Sequence, residues 1–160
     1  MSVLSSRTTL FCRDIEQSIY FYNELLGLSI LDDKVIRGES AGSLLNLTSC
    51  DIRMVLLSDG SSPKAILGLF EISQIALPSL VLPPDTVAHG QTALVFETEN
   101  FAEIYDRCIA AEVPALTTPI KYPKPVGTPG SPAGIYNEVI LFDPDKHMVS
   151  LLQIDPIEQS

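Results

Sequence analysis

The 160-residue chain has no apolar run long enough to cross a membrane. A transmembrane helix needs about 20 consecutive, mostly apolar residues. The closest approach is residues 66–82, which Glu71, Gln74 and Pro78 interrupt. Basic residues are also scarce, with 10 against 20 acidic residues and a net charge of −10. Such a charge opposes binding to a nucleic-acid backbone or an anionic membrane, so we expect neither as a partner.

Cysteine is also sparse. The three cysteines, Cys12, Cys50 and Cys108, are widely spaced, odd in number and outside any C-x-x-C pair. This pattern predicts buried, reduced thiols rather than disulfides or a thiolate metal site. The first residues contain no long apolar segment of the kind found in signal peptides. We therefore expect a cytoplasmic protein.

The sequence does contain a repeated pattern. Residues 7–27 and residues 92–113 each run from a short apolar strand through a polar capping residue into an amphipathic helix. A repeated segment often decides the whole fold. Hydrophobic residues make up 46% of the chain, enough for a core. Two small strand-helix modules in one domain are the expected organisation.

Capping signals predict where each helix begins. Asp14 is a favourable N-cap and Gln17 stands at the capping-box position, while Gly27 is suited to end the helix in a left-handed conformation. Asn100 and Glu103 repeat the N-terminal pattern in the second copy. Apolar residues at helical spacing predict the buried sides, which are Ile15, Ile19, Tyr22 and Leu26 in the first helix and Phe101, Ile104, Tyr105 and Cys108 in the second.

The remaining apolar stretches predict strands. They are Thr8–Cys12, Leu28–Arg37, Ser43–Leu47, Ile52–Leu57, Ile66–Ser73, Val113–Ile120, Tyr136–Phe142 and Met148–Ile154. A short helix is an alternative for Ile66–Ser73. Residues 143–146 read as a turn with proline at its second position. Residues 122–134 hold four prolines and three glycines and predict an irregular loop that closes over a cleft.

Three segments resemble the vicinal oxygen chelate superfamily, which includes glyoxalase I, extradiol dioxygenases, fosfomycin-resistance proteins and bleomycin-binding proteins. They are DIEQSIYFYNELLG at 14–27, FDPD at 142–145, and Phe96 with Asn100 at the second strand-to-helix junction. The resemblance implies an α+β fold of two βαβββ modules that form an open, barrel-like cleft. It places the modules at 5–75 and 91–156, with a linker at 76–90, in a single domain of residues 1–160. It also implies a homodimer.

Metal-dependent members of that superfamily draw ligands from the first and last strands of the modules. By the same resemblance, the ligand positions fall on Arg7, Ala93 and Ser150. Arginine repels cations, alanine has no donor atom, and serine is a poor ligand for a divalent ion. We therefore expect no metal and no other cofactor. A shift in register leaves a divalent metal as the alternative, held by His89 and Glu97 with help from Asp85 or Glu138.

Strand alternation from those positions selects the side chains that would face the cleft. They are Arg7, Thr9, Phe11, Gln91, Val95, Glu97, Met148 and Ser150. Tyr136 and Glu138 are also predicted to bind the ligand, because they lie just after the loop at 122–134. An inward Arg7 could clamp a carboxylate or phosphate, and an inward Glu97 could act as a catalytic base. In the alternative interpretation, Arg7 and Glu97 pair with each other or lie in water at strand ends.

Three functions are compatible with these residues. The first is a metal-independent module that binds a small, partly apolar organic molecule in the cleft, for which an acidic surface favours a cationic ligand. The second is a metal-dependent lyase, isomerase or dioxygenase of the same superfamily. The third is a metal-free enzyme that uses Glu97 as its base. The fold alone does not select among them, because one fold hosts many functions.

Overall fold

A computed structural model describes residues 3–83 and 85–157 of the chain. The chain divides between Leu80 and Val81 into two compact units, and this division falls inside the predicted linker. Each unit contains one βαβββ module with an open four-stranded sheet. The predicted α+β class and the two modules are confirmed. None of the described helices is long and apolar enough to span a membrane.

The first unit has a mixed sheet in the order β1-β4-β3-β2, with β1 parallel to β4 and the other pairs antiparallel. A π-helical segment, Tyr20–Leu25, continues the first helix. The elements are β1 (Thr8–Cys12), α1 (Ile15–Ile19), β2 (Ser29–Gly38), α2 (Glu39–Ser43), β3 (Cys50–Ser58) and β4 (Leu67–Ser73).

The second unit repeats this topology in the order β5-β8-β7-β6, with β5 parallel to β8. Its elements are β5 (Ala93–Glu97), α3 (Phe101–Ala110), β6 (Ile120–Lys124), β7 (Gly134–Phe142) and β8 (Met148–Asp155). In both units the first strand pairs with the last, so residues more than 50 positions apart become neighbours.

The start and end of α1 agree with the sequence signals. The Oδ1 atom of Asp14 accepts hydrogen bonds from the backbone N–H groups of Glu16 and Gln17 at 3.1 and 3.3 Å. The Gln17 side chain donates to the Asp14 carboxylate at 2.8 Å rather than to its backbone. Gly27 has a φ of +85°, which glycine adopts without steric cost, and ends the helix as predicted.

The buried side of the first helix differs from the prediction. Ile19 and Leu26 are only half-buried, whereas Phe21 and Leu25 are buried. At 3.6 residues per turn, the buried residues Ile15, Ser18, Phe21, Tyr22 and Leu25 lie within an arc of about 120°, and Ile19 and Leu26 lie at the margin of that arc. In α3, which is regular, Phe101, Ile104 and Cys108 are buried as predicted, and Tyr105 stacks on Phe101. All three cysteines are free and buried, as expected.

Two predicted strands are wrong. Residues 43–47 form the end of α2 and a turn, because the chain folds back tightly at Gly42. A Cβ atom at Gly42 would lie 2.0 Å from the carbonyl oxygen of Thr48. Residues 113–119 also form no strand apart from an isolated bridge between Ala115 and Leu141. The strand β6 begins only at Ile120, so the first part of the predicted loop is sheet. Pro123 lies within β6 and is tolerated because β6 is an edge strand, where a missing backbone N–H need not break a ladder hydrogen bond.

The last strand of each unit also caps the helix of that unit. The Ile15 N–H donates to Oε1 of Glu71 in β4, and the Phe101 N–H donates to Oε1 of Gln153 in β8, both at 3.1 Å. Asn100 occupies the predicted N-cap position, but its side chain makes no capping hydrogen bond. The predicted capping box with Glu103 is therefore wrong, and Glu103 instead pairs with Arg107. The tertiary acceptor satisfies the first N–H of the helix in its place.

The β7–β8 hairpin is closed by the side chain of Asp143. The Lys146 N–H donates to the Asp143 carbonyl at 3.0 Å, which confirms the turn at 143–146. Oδ1 of Asp143 accepts from the backbone of Asp145 and His147, and Oδ2 lies 3.0 Å from Nδ1 of His147. The pKa of His147 is raised, first by this hydrogen bond to Asp143, against an opposing effect of burial.

We expect Glu71→Ala to lower the free energy of unfolding by about 1–2 kcal/mol, because it leaves the Ile15 N–H without its acceptor. Glu71→Gln keeps an oxygen acceptor and should cost less. Urea denaturation of the full chain measures both, with Glu99→Ala, at an exposed position, as the control. Equal losses for the alanine and glutamine variants would contradict the capping role of Glu71.

We expect Asp143→Asn to lower the pKa of His147, since the amide keeps the Oδ1 acceptor but loses the charge that stabilises imidazolium. Because the folded-state pKa is raised, the stabilisation is complete below the unfolded pKa of about 6.5 and disappears as the pH rises through the folded value. The difference in the free energy of unfolding between wild type and Asp143→Asn should therefore become smaller as the pH rises from the unfolded to the folded pKa of His147. NMR titration of the His147 ring measures the pKa, and an unchanged value would contradict the assignment.

Candidate functional site

Each sheet has one face packed on its helix and one face that points away from it, called here the far face. In β8, Val149 and Leu151 are fully buried, and Gln153 reaches the start of α3. Alternation therefore puts Met148, Ser150 and Leu152 on the far face of the second sheet. Directly paired residues share a face, so the register extends this set along two rows, Val95–Ser150–Ile140 and Glu97–Leu152–Glu138.

A carboxylate held by two hydroxyl groups lies on this far face. The Ser150 hydroxyl donates to Oε1 of Glu138 at 2.5 Å, and the Tyr122 hydroxyl donates to Oε2 at 2.8 Å. Ser150 is buried, while Tyr122 is partly exposed. Burial, and then the hydrogen bond to Glu138, raise the pKa of Tyr122 to about 12, so the phenol keeps its proton at neutral pH. The carboxylate retains lone pairs for further donors.

Two stacked tyrosines extend this group of residues towards the proline-rich loop. The rings of Tyr122 and Tyr136 have centroids 5.3 Å apart and an interplanar angle of 21°. The Tyr136 hydroxyl donates to the carbonyl of Pro132 at 2.7 Å and lies 3.1 Å from Oγ of Ser131. Aromatic surface is thus placed beside the Glu138 carboxylate.

Lys124 fastens the loop to the end of β6. Its Nζ donates to Oγ and the carbonyl oxygen of Ser131 at 2.5 and 2.9 Å, and lies 3.4 Å from Oγ1 of Thr128. Residues 128 and 131 also exchange backbone hydrogen bonds. A continuous chain of hydrogen bonds and ring contacts therefore joins Ser150 to the loop.

The other predicted residues of the second unit have different environments. Val95 and Glu97 are exposed, and Met148 is buried. Gln91 precedes β5, where its Oε1 accepts from the Ala88 N–H and its Nε2 is buried without a hydrogen-bond partner among the described residues. The two glutamates, Glu97 and Glu138, flank Leu152 on the same face, two strand spacings or about 10 Å apart.

The predicted residues of the first unit lie on the far face of their own sheet. Leu10 and Cys12 are buried towards the helix, whereas Thr9 and Phe11 point the other way, as predicted. Phe11 packs edge-to-face on Phe70, with ring centroids 6.2 Å apart. Arg7, directly before β1, is exposed and lies over Gly68.

The residues at the superfamily's ligand positions do not fit a catalytic metal. Arg7 carries a positive charge, Ala93 has no donor atom, and the hydroxyl of Ser150 is already used by Glu138. Within residues 3–83 and 85–157, no three His, Cys, Asp or Glu side chains are grouped as a metal site would require. His89 is an exposed turn residue.

Sequence reasoning missed several residues of these faces. The sequence predicts a loop at Tyr122 and Lys124, because the prolines at 123 and 125 hide the strand alternation of β6. The i, i+2 spacing of Tyr122 and Lys124, which puts both side chains on one face of a strand, is the sequence signal for β6. For Gly68 and Phe70 the sequence predicts only a strand, since their partners in β1 are separated from them by almost 60 residues.

Comparisons with known proteins agree with this architecture. The model of the Glyoxalase/Bleomycin resistance protein/Dioxygenase superfamily matches residues 5–151. A glyoxalase family protein from Bacillus cereus has a TM-score of 0.76 at 14% identity, covering 97% of this chain and 96% of its own. No curated protein matches the sequence.

Two further solved structures have the same fold. The trypanothione-dependent glyoxalase I of Leishmania major has a TM-score of 0.60 at 18% identity, over 95% of this chain and 87% of its own. A glyoxalase/dioxygenase from Nostoc punctiforme has a TM-score of 0.58 at 17% identity, covering 98% of this chain and 99% of its own. The TM-scores show a shared fold, and the family match covers most of the sequence. The chain therefore belongs to the Glyoxalase/Bleomycin resistance protein/Dioxygenase superfamily.

Proposed function

We propose that this superfamily member binds a small organic molecule on the far face of its second sheet, without a metal ion. The observation that carries the proposal is the Glu138 carboxylate, which Ser150 and Tyr122 hold beside a stacked pair of tyrosines. Small-molecule sites combine apolar surface with a few well-placed polar groups. Val95 and Ile120 supply exposed apolar surface on the same face.

The chemistry of this face favours a ligand with a hydrogen-bond donor or a positive charge. Glu138 accepts two hydrogen bonds and has capacity for more, and Glu97 adds a second carboxylate on the same face. Lys124 is a cation on this face, but its ammonium is directed to oxygen atoms of the loop. A protonated amine attached to an aromatic or aliphatic body suits these groups.

Glu138 is better placed than Glu97 to make the principal polar contact. Glu97 is exposed at the end of an edge strand, whereas Glu138 is partly buried and fixed by two hydrogen bonds. A fixed acceptor loses less side-chain entropy on binding than a mobile one. Glu97 keeps a secondary role, as a charge that attracts the cation.

Metal independence is part of the proposal. It is supported by Arg7, Ala93 and Ser150 at the positions from which relatives draw metal ligands. A homodimer and a cytoplasmic location, both expected from the sequence, remain predictions. The competing function is the metal-dependent lyase, isomerase or dioxygenase, which needs ligands from other positions, beginning with His89 and Glu97.

We expect a thermal-shift screen of aromatic amines to find ligands that raise the melting temperature, while the matching neutral alcohols bind more weakly. Glu138→Gln should weaken binding of the best amine by about 10- to 150-fold, the effect of losing one charge-assisted hydrogen bond. Calorimetric titration measures the affinity.

Glu103→Gln is the matched control for Glu138→Gln. It removes the same charge from the exposed side of α3, so it should leave the affinity unchanged. If Glu138→Gln keeps wild-type affinity in a folded protein, or if the control loses as much, the far face of the second sheet is not the binding site.

We expect protein purified without chelators to contain less than stoichiometric zinc, iron, manganese or nickel, because Arg7, Ala93 and Ser150 at the family's ligand positions are poor metal ligands. Elemental analysis measures the content. Near-equimolar metal would contradict metal independence and direct mutagenesis to His89 and Glu97. Amine binding should also survive treatment with EDTA.

A further inference from the structure

On the far face of the first sheet, the side chains of Arg7 and Phe70 lie directly over Gly68. This glycine is buried in the interior of β4, where a glycine often marks the close approach of another group. A Cβ atom built on it would lie 3.2 Å from Cε1 of Phe70 and 3.4 Å from Nε of Arg7. Because Gly68 has no side chain, Arg7 and Phe70 lie close together above the strand.

A second aromatic ring completes this group. Thr9 pairs with Gly68 and Phe11 pairs with Phe70, so Phe11 lies directly beside Phe70 on the same face. Their rings meet edge-to-face, and about half of Phe11 is exposed. Nε of Arg7 therefore lies near the ring of Phe70, which is partly buried against the cluster of Ala41, Cys50 and Ile52, and Phe11 adds a half-exposed ring next to Phe70.

The charge of Arg7 is unusual in this acidic chain. Three of the five arginines, Arg37, Arg53 and Arg107, form ion pairs. Arg13 also has an interaction partner. Arg7 has no ion pair with any residue in 3–83 or 85–157, although acidic residues outnumber basic ones two to one. Its planar donor groups match the two oxygen atoms of a carboxylate.

The corresponding positions of the second unit lack this chemistry. Relative to the helix start, Ala93 corresponds to Arg7, and Ser150 in β8 corresponds to Gly68 in β4. Glu97 stands where the first unit has Phe11. The cation, the glycine beneath it and the aromatic pair therefore occur together only in the first unit's version of this strand arrangement, within the described part of the chain.

We propose that Arg7, Gly68, Phe11 and Phe70 form a binding site for an aromatic carboxylate, in which Arg7 binds the carboxylate and the phenylalanines contact the ring. The site lies in the first unit and does not depend on the amine-binding function proposed for the second. An aromatic carboxylate is favoured over inorganic phosphate because phosphate would gain nothing from the two rings.

The test is a two-dimensional NMR titration of the full chain with sodium benzoate. We expect saturable shifts of the amide signals of Thr9, Gly68 and Phe70. Arg7→Gln should weaken benzoate binding about 10-fold or more, because it removes a charge-assisted hydrogen bond. Gly68→Ala, which alters the space under Arg7 without changing the charge, should also weaken it.

Matched controls separate this site from general effects of charge. Arg37→Gln removes the same charge from an exposed arginine of the same unit and should leave benzoate affinity unchanged. Glu138→Gln should also leave it unchanged, so failure here is distinct from failure of the amine site. Benzyl alcohol and inorganic phosphate, used as probes at equal concentrations, should shift the same signals less than benzoate does.

Three results would overturn the proposal. The first is wild-type benzoate affinity in folded Arg7→Gln. The second is an equal loss of benzoate affinity in Arg37→Gln, which would indicate that binding depends only on the net charge of the protein. The third is phosphate binding as tight as benzoate binding, which would remove the role of the aromatic pair.

Discussion

The parallel pairing of the first and last strands in each module is the constraint on which the rest of the structure depends. It joins β1 to β4 and β5 to β8, across the helix and two intervening strands. This pairing brings Glu71 to the start of α1 and Gln153 to the start of α3. It also decides which side chains share the far faces, because directly paired residues point the same way. Loss of the β1–β4 pairing would separate Arg7 and Phe11 from Gly68 and Phe70, whereas the Glu138 site is held by the antiparallel pairs of β6, β7 and β8.

The two modules have the same backbone arrangement but different chemistry on their far faces. In the second sheet, a carboxylate is fixed by hydroxyl donors next to stacked tyrosines. In the first sheet, an arginine lies over a glycine next to a phenylalanine pair. The face of the second sheet carries a carboxylate as its central polar group, and the face of the first sheet carries a guanidinium. A duplicated scaffold can therefore present two chemically opposite surfaces, because strand pairing fixes the positions while the side chains at those positions vary.

The superfamily's usual metal chemistry requires several donor side chains that converge on one ion. In this chain, the hydroxyl of Ser150 donates to Glu138, so the serine acts as a hydrogen-bond donor to a carboxylate. Arg7 in the other module would oppose a cation by its charge. Membership of the superfamily is thus established by the family match and the fold, while metal-independent binding is a proposal based on these local side chains.

The sequence alone determined the two modules, their order and the faces of β1, β5 and β8, because caps such as Asp14 and period-two alternation are local signals. It also pointed to Arg7, Glu138 and Ser150. Only the tertiary structure revealed the π-helical segment, the helix at 39–43, and the strand β6 inside a proline-rich stretch. It alone joined Tyr122 to Glu138 and Arg7 to Gly68. Those contacts depend on the register between strands, which is set by the pairing of residues far apart in the chain rather than by any local pattern.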